Sequence, residues 1–454
     1  MLKKLLIPFL LLLICGSCEA QTVVTVDPAT VLGPIKIMNA ANNGPIDSNL
    51  EAYKALRVPY ARTHDTVHGG GYGYQCVDIT RVFPDFDADV DSPESYDFTL
   101  TDEVLMNMRE AGTKPFYRLG QSIEHYIKKY GIYPPKDFEK WARICEHIIL
   151  HYNEGWADGF HMGIEYWEIW NEPDLDQPDE RWKTDPRCWA GPMEQFDELY
   201  VITAKHLKSC FPNLKIGGPA FANAKKYGPE FLEYVKKDGA PLDFFSWHDY
   251  HYKPDHPSKA AAQVREMLDT TGFAGTESIL NEWNYVKSWD ETDRYSARMR
   301  LTVKGAAYVA AVMCECQRAP VDMLMYYDLR TNTSYCGPFS VCTYDIQPPY
   351  WPLYYWADLS EYGTQVASAC ETDNIYTCAA RSNDGRKVRL LISRYHDDDN
   401  HNTPRQIKIG LPSGWKVTGI RITDSQGMDR REKASQKITL EAKAIAFIEL
   451  ENKQ

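Results

Sequence analysis

The sequence predicts an α/β protein, a (β/α)8 TIM barrel with a C-terminal β-sandwich domain. Two observations carry this. Between residues 34 and 360, eight β-like runs alternate with amphipathic helical stretches, the pattern of repeated βα units. From 361 to 454 the helical pattern gives way to short strands broken by Gly, Pro, Asn and Asp turns. A chain of 454 residues has room for one large domain and one small one.

The eight runs are residues 35–42, 58–64, 115–120, 164–170, 215–219, 243–250, 278–283 and 323–328. Helical patterns lie between them. Residues 48–56 open on a Ser cap, and 100–111 end at Gly112, a common helix stop. Residues 137–152 carry Phe138, Trp141, Ile144, Cys145, Ile148 and Ile149 at helical spacing. Residues 194–210 end before Pro212, 229–237 begin with Pro at a first-turn position, and 258–268 and 295–318 follow. A doubly wound open sheet is the rival architecture, but it usually carries a Gly-rich phosphate turn after its first strand. Here Gly69-Gly70-Gly71-Tyr72-Gly73 follows the second strand and opens no helix, which suits a loop over a site. In the C-terminal part 388–394, 405–409, 417–423, 437–440 and 444–450 read as strands, and residues 22–33 add one to that sandwich. The Asp- and His-rich loop 396–402 reads as a solvated hairpin tip, with cation binding as the alternative.

Residues 1–20 read as an export signal. Lys3 and Lys4 precede an apolar run over 5–14, too short for a permanent span. Cleavage after Ala20 is one reading. The other is a lipoprotein signal, since Gly16-Ser17-Cys18 resembles its end, with Cys18 lipidated and serving as the one membrane contact. The expected location is therefore periplasmic, outer-membrane or secreted. Of 12 cysteines, those in an oxidising compartment can pair, and Cys336 with Cys342 and Cys370 with Cys378 form plausible short loops. The net charge of -13 argues against nucleic acid as a partner. An aromatic content of 13% suits stacking on sugar rings, and equally suits a large core. The sequence leaves the oligomeric state open.

Catalytic groups of a barrel sit at the carboxyl ends of its strands. Three clusters stand there: Trp167-Glu168-Ile169-Trp170-Asn171-Glu172-Pro173-Asp174 on the fourth run, Phe244-Phe245-Ser246-Trp247-His248-Asp249-Tyr250-His251 on the sixth, and Ile279-Leu280-Asn281-Glu282-Trp283-Asn284 on the seventh. Cleaving an acetal at neutral pH needs one carboxyl group to protonate the leaving oxygen and another to attack, or to activate water. Tips four and seven face each other across a barrel mouth, so Glu172 and Glu282 can stand about 5–5.5 Å apart, the separation for retention. Glu172 alone also reads as a first-turn helix residue favoured by the dipole, but that does not explain Glu282 in the matching place.

Trp170-Asn171-Glu172-Pro173 with Glu282 resembles the signature of clan A glycoside hydrolases. Glu282-Trp283-Asn284 and Ser246-Trp247-His248 are similar to glycoside hydrolase family 39, which includes β-xylosidases and α-L-iduronidases. The resemblance implies Glu172 as acid/base, Glu282 as nucleophile and Asn171 as a hydroxyl clamp. It implies sugar contacts from His248, Tyr250 and His64, while Trp283 and Tyr326 divide between core and sugar platform. The third tip, Tyr117-Arg118-Leu119-Gly120-Gln121-Ser122, departs from the family pattern and leaves the sugar open. Arg62 and Arg118 either brace the carboxylates or, with Arg330, bind a uronate; Asp328 either contacts ligand or pairs with Arg330. The implied activity is a retaining exo-glycosidase, β-xylosidase-like, acting on oligosaccharides without a cofactor or metal. The alternatives are the same mechanism on a β-galactoside, α-L-arabinoside or uronide, a non-catalytic surface glycan-binding barrel, and a metal hydrolase using His64, His248 and Asp328.

Overall fold

The computed structural model describes residues 21–66, 75–290, 293–330 and 337–453. The export segment, the 69–73 glycine loop and Cys336 fall outside the described residues. Strand β1 (Thr22–Pro34) comes first. Eight parallel strands then close into a barrel in chain order: β2 (Ile37–Asn42), β3 (Tyr60–Arg62), β4 (Lys114–Leu119), β5 (Tyr166–Ile169), β6 (Lys215–Phe221), β7 (Phe244–His251), β8 (Glu277–Tyr285) and β9 (Met323–Tyr326). Around them run α1 (Leu50–Leu56), α2 (Ile79–Val82), α3 (Thr99–Glu110), α4 (Phe138–Glu154), α5 (Met193–Cys210), α6 (Ala224–Lys237), α7 (Asp255–Thr271), α8 (Asp293–Met299), α9 (Val303–Cys316) and α10 (Tyr350–Tyr362).

Strand alternation builds the barrel interior in layers. Ala40, Phe116, Tyr166, Phe244, Ile279 and Met323 form an apolar plug. Two residues further along the same strands, Asn42, Arg118, Glu168, Ser246 and Asn281 follow, all fully or almost fully buried. The floor of the mouth is therefore polar, and its polar groups pair with one another. The outward residues, among them Leu119, Trp167, Leu280 and Trp283, pack against the helices in the main core.

Several helix limits differ from the sequence expectation. Ser48 does not cap α1; the helix starts after Asn49, whose side chain accepts from Ile46 N–H at 3.0 Å instead. Helix α6 begins five residues before Pro229, because Asn223 caps it by accepting from Lys226 N–H. Helix α7 likewise starts at Asp255. The 295–318 stretch is two helices, and Thr302 caps the second.

The remaining strands are β10 (Thr364–Cys370), β11 (Ile375–Arg381), β12 (Lys387–Arg394), β13 (Arg405–Gly410), β14 (Trp415–Asp424), β15 (Gly427–Glu432), β16 (Lys437–Leu440) and β17 (Ala444–Asn452). With β1 they make a nine-stranded sheet in the order β15-β14-β17-β12-β11-β10-β1-β13-β16. Ile422 near one end and Ile438 at the other share one apolar cluster, so the sheet folds over on itself as a sandwich. Strand β1 lies inside it, antiparallel to β10 and parallel to β13.

Cys370 and Cys378 are free thiols, against the expected bridge. The register that sets Val366 opposite Ala379 leaves the two cysteines about 10 Å out of step along the strands, beyond disulfide reach. The 396–402 loop is also not a free hairpin tip. Lys304 of α9, itself buried, holds Asp397 at 3.0 Å and Asp399 at 2.9 Å, and the Tyr285 hydroxyl donates to Asp397 at 2.9 Å. Those contacts seat the sandwich on the barrel. No described helix is long and apolar enough to cross a membrane.

Candidate active site

Glu172 and Glu282 reach the mouth through two departures from regular strand. Between β7 and β8 the register shifts, pairing Trp247 with Leu280 but His248 with Glu282. That extra residue is a bulge. It lets Asn281 and Glu282 both meet the barrel axis, while Trp283 points out. On the other side, β5 ends at Ile169, and the chain turns through left-handed conformations at Trp170 (φ 72°) and Glu172 (φ 46°). Left-handed residues other than glycine cost energy and mark sites where a side chain is aimed. Gly120 makes room for the turn: a Cβ there, already disfavoured at φ +144°, would sit 3.0 Å from Trp170 Cα. Glu172 N–H donates to Ala220 O at 3.1 Å, and Asp174 accepts from Ala222 N–H and Asn223 N–H at 3.0 and 2.7 Å, tying the turn to β6.

An oxygen of Glu172, one of Glu282 and a ring nitrogen of His248 lie within 4.8 Å of one another. Both carboxyl groups are buried, with residue exposures of 7% and 4%, yet their partners differ. Glu282 Oε1 accepts from Arg62 Nη1 and Oε2 from the Tyr250 hydroxyl, each at 2.7 Å. Burial raises the Glu282 carboxyl, and the Arg62 guanidinium and the Tyr250 bond offset part of that push. Glu172 has no cationic bond of this kind. Its Oε1 stands 2.7 Å from His248 Nδ1, and its Oε2 accepts weakly from the Cys188 thiol at 3.9 Å. Burial first, then nearby Asp65, raises it to about 7, only partly offset by Arg62. Burial holds His248 down at about 4, hence neutral, and keeps the Cys188 thiol protonated. Burial raises both carboxyl groups, but their partners differ, the kind of contrast that suits paired carboxyls to different roles.

Arg62 is the brace under Glu282. It is fully buried and donates to Glu168 Oε2 (2.6 Å), Glu282 Oε1 (2.7 Å), Asn171 Oδ1 (2.6 Å) and Asn42 Oδ1 (3.2 Å). Glu168 Oε1 also accepts from Ser246 Oγ at 2.6 Å and Asn281 Nδ2 at 2.5 Å. Arg118 does not brace the pair: its Nη2 donates to Asp78 at 2.7 Å and Ser122 at 3.1 Å. Arg330 is held by Asp328 at 2.6 Å and donates to Asp65 O at 2.7 Å. His64 lies 3.7 Å from Glu282 Oε1, and burial with the nearby Arg62 and Arg118 keeps it neutral. Trp283 and Tyr326 are fully buried, edge to face at 5.6 Å, with Trp283 also against Tyr308 of α9; they sit between strands and helices rather than in the mouth. An exposed aromatic, Trp289, stands edge-on to Tyr250 at 5.3 Å.

Buried polar atoms without a protein partner mark where a ligand belongs. Around the carboxyl pair these are His64 Nδ1 and Nε2, Asn171 Nδ2, His248 Nε2, and Arg118 Nε and Nη1. A groove of about 810 Å³ between α6 and α7 reaches His248 and Trp247 at its inner end. Among the described residues His64, His248 and Asp328 do not converge as a ligand set, since Asp328 is taken by Arg330.

A closed parallel barrel with a buried carboxyl pair on opposing tips is the layout that acid-assisted glycoside cleavage needs. The chain belongs to glycosyl hydrolases family 39, whose family model matches residues 49–337. A β-xylosidase from Caldicellulosiruptor saccharolyticus is 31% identical over 166 residues, 34% of this chain and 31% of the relative. Another from Geobacillus stearothermophilus is 28% identical over 213 residues, 43% and 39% of the two chains. The match thus spans about a third of the length of these curated relatives. Among solved structures, a glucosidase from Croceicoccus marinus has a TM-score of 0.73 at 22% identity, over 96% of this chain and 100% of that one. A monomeric β-xylosidase from Caulobacter crescentus has 0.68 at 19%, over 95% and 99%. An α-L-arabinofuranosidase from Thermotoga maritima has 0.66 at 13%, over 95% and 100%. These structures share the barrel-plus-sandwich fold.

Proposed function

We propose that this protein is an exported, retaining exo-glycosidase that hydrolyses β-xylosides of oligosaccharides by double displacement. The observation that carries the mechanism is the close carboxyl pair, with Glu282 held by Arg62 and Tyr250 and Glu172 raised to about 7. Glu172 protonates the leaving oxygen while Glu282 attacks the anomeric carbon, forming a glycosyl-enzyme. Water then attacks that ester, with Glu172 ionised and acting as base. Its value near neutrality suits both duties. The unpaired Asn171 amide and the unpaired ring nitrogens of His64 and His248 suit the hydroxyls of a sugar ring, which both donate and accept. Trp289 adds an exposed apolar face beside Tyr250, and both curated relatives carry the β-xylosidase name.

A uronide is the second reading, favoured by one feature: buried Arg118, a fixed cation, leaves Nε and Nη1 unpaired, each a donor that a carboxylate oxygen could take. Aryl xyloside, galactoside, arabinoside, glucoside and uronides, offered to the wild type and to Glu282→Gly with azide, test both. Xyloside turnover, with azide restoring the variant and giving an inverted glycosyl azide, is the expected result; a rescued product of unchanged configuration would remove Glu282 from the nucleophile's role. Lys3, Lys4, the apolar run at 5–14 and Gly16-Ser17-Cys18 support export, with a lipid on Cys18 as the anchored form. Palmitate labelling that Cys18→Ser abolishes is its test.

A further inference from the structure

We propose that Glu146, His206 and Cys210 form a divalent-metal site of zinc type on the outer wall of the barrel. His206 and Cys210 are four residues apart on α5, so they project from one face, one turn apart. Glu146 faces them from the neighbouring α4. His206 Nε2 lies 2.7 Å from Glu146 Oε2 and 3.9 Å from Cys210 Sγ, and all three donor atoms fall within 4.8 Å of one another. Around a tetrahedral zinc with bonds of about 2.0–2.3 Å, donor atoms stand roughly 3.3–3.6 Å apart. Small side-chain rotations bring this trio to that spacing.

The chemistry of the set is selective. Thiolate, imidazole and carboxylate together suit zinc or cobalt, whereas magnesium and calcium take oxygen ligands alone. The His206 and Glu146 side chains keep 30% and 23% of their surface exposed, and Cys210 is exposed, so an ion can enter and water can take the fourth position. The bland alternative is a His–Glu ion pair with a thiol beside it. The two differ in proton balance: the metal bonds the Cys210 sulfur and releases the thiol proton to solvent, and its bond to His206 Nε2 displaces the proton shared with Glu146, which leaves to solvent from a charged ring or moves to Nδ1 in a neutral one. A filled site would clip α4 to α5, away from the catalytic mouth.

The test is titration of the reduced, metal-free protein with Co²⁺, read by thiolate-to-cobalt charge-transfer absorption, and with Zn²⁺, read by calorimetry. The expected result is one metal per chain and a charge-transfer band that Cys210→Ser abolishes. Zn²⁺ affinity should fall about tenfold or more, about 1.4 kcal/mol, in His206→Ala and in Glu146→Gln. Aryl-glycoside turnover should be unchanged in all three, which also reports that they fold. Absence of the band, its survival in Cys210→Ser, or Zn²⁺ affinity unaltered by these substitutions overturns the proposal.

Discussion

Replacing Tyr250 by Phe removes one hydroxyl and leaves the ring on which Trp289 packs. That hydroxyl donates to Glu282 Oε2 at 2.7 Å. Burial keeps the Tyr250 phenol protonated far above the working range, so the bond is present at every pH of interest. A hydrogen bond to a charged group is worth about 1.5–3 kcal/mol. It favours the ionised carboxylate, so its loss raises the Glu282 pKa by about one to two pH units, at about 1.36 kcal/mol per unit. In the proposed mechanism Glu282 works ionised, and the acid limb of kcat/KM reports its protonation in the free enzyme. The limb should therefore move to higher pH by that amount, with the alkaline limb, set by Glu172, left in place. The assay is kcat/KM for an activated aryl glycoside against pH, wild type beside Tyr250→Phe. An acid limb that stays put or moves to lower pH would refute the reasoning.

Glu172→Gln tests the raised carboxyl through stability. Its folded value of about 7 exceeds the ordinary 4.5, so the folded state binds the extra proton; its burial costs nothing below about pH 4.5 and the full amount above about pH 7. The variant should melt higher than wild type at pH 8, by a free energy of at most roughly 3 kcal/mol, and equally at pH 4; a lower melting temperature at pH 8 contradicts this. Gly120→Ala should destabilise by about 1–3 kcal/mol and lower kcat, because the new Cβ meets the turn that aims Glu172. Unchanged melting and kcat would remove that turn from the account. Lys304→Met strips the loop bearing Asp397 and Asp399 of its buried cation; since Asp399 is half exposed, a loss of about 1–2 kcal/mol is expected in urea unfolding.

The barrel's strand runs and the polar motifs at their ends are readable because alternation and strand-end chemistry are local. Tyr166 points into the barrel, so period two places Glu168 there, and the same count finds Arg118 and Ser246. The count fails at Glu282. Strict alternation would send it outward beside Leu280, and only the bulge seen in the β7–β8 register turns it in. The motif found the residue where periodicity could not. Arg62's partners were hidden for another reason: Asn42, Glu168 and Glu282 come from three distant strands, and closure of the barrel alone brings them to one guanidinium. Cys188 was invisible in the same way, set against Glu172 by Asp176, which accepts from the Arg187 and Cys188 N–H groups at 2.6 Å. Strand β15, Gly-Met-Asp-Arg-Arg-Glu, was missed because it is an edge strand with charged residues, which look like loop. Helix α10 was missed because its apolar residues run nearly all round it, buried between barrel and sheet.

The placement of β1 bears on how the molecule can be made and cut. Thr25 donates to Ala369 O across 344 positions of chain, and the same strand pairs with β13 on its other edge. The first described strand must therefore wait for some of the last to be synthesised before it finds either neighbour. Pairings so remote in sequence are slow to form, and an unpaired strand meanwhile invites aggregation. It also makes the sandwich a clasp rather than an appendage. A cut at residue 361 would yield neither a whole sheet nor a clean barrel, because the barrel's piece would still carry a strand from inside the other fold.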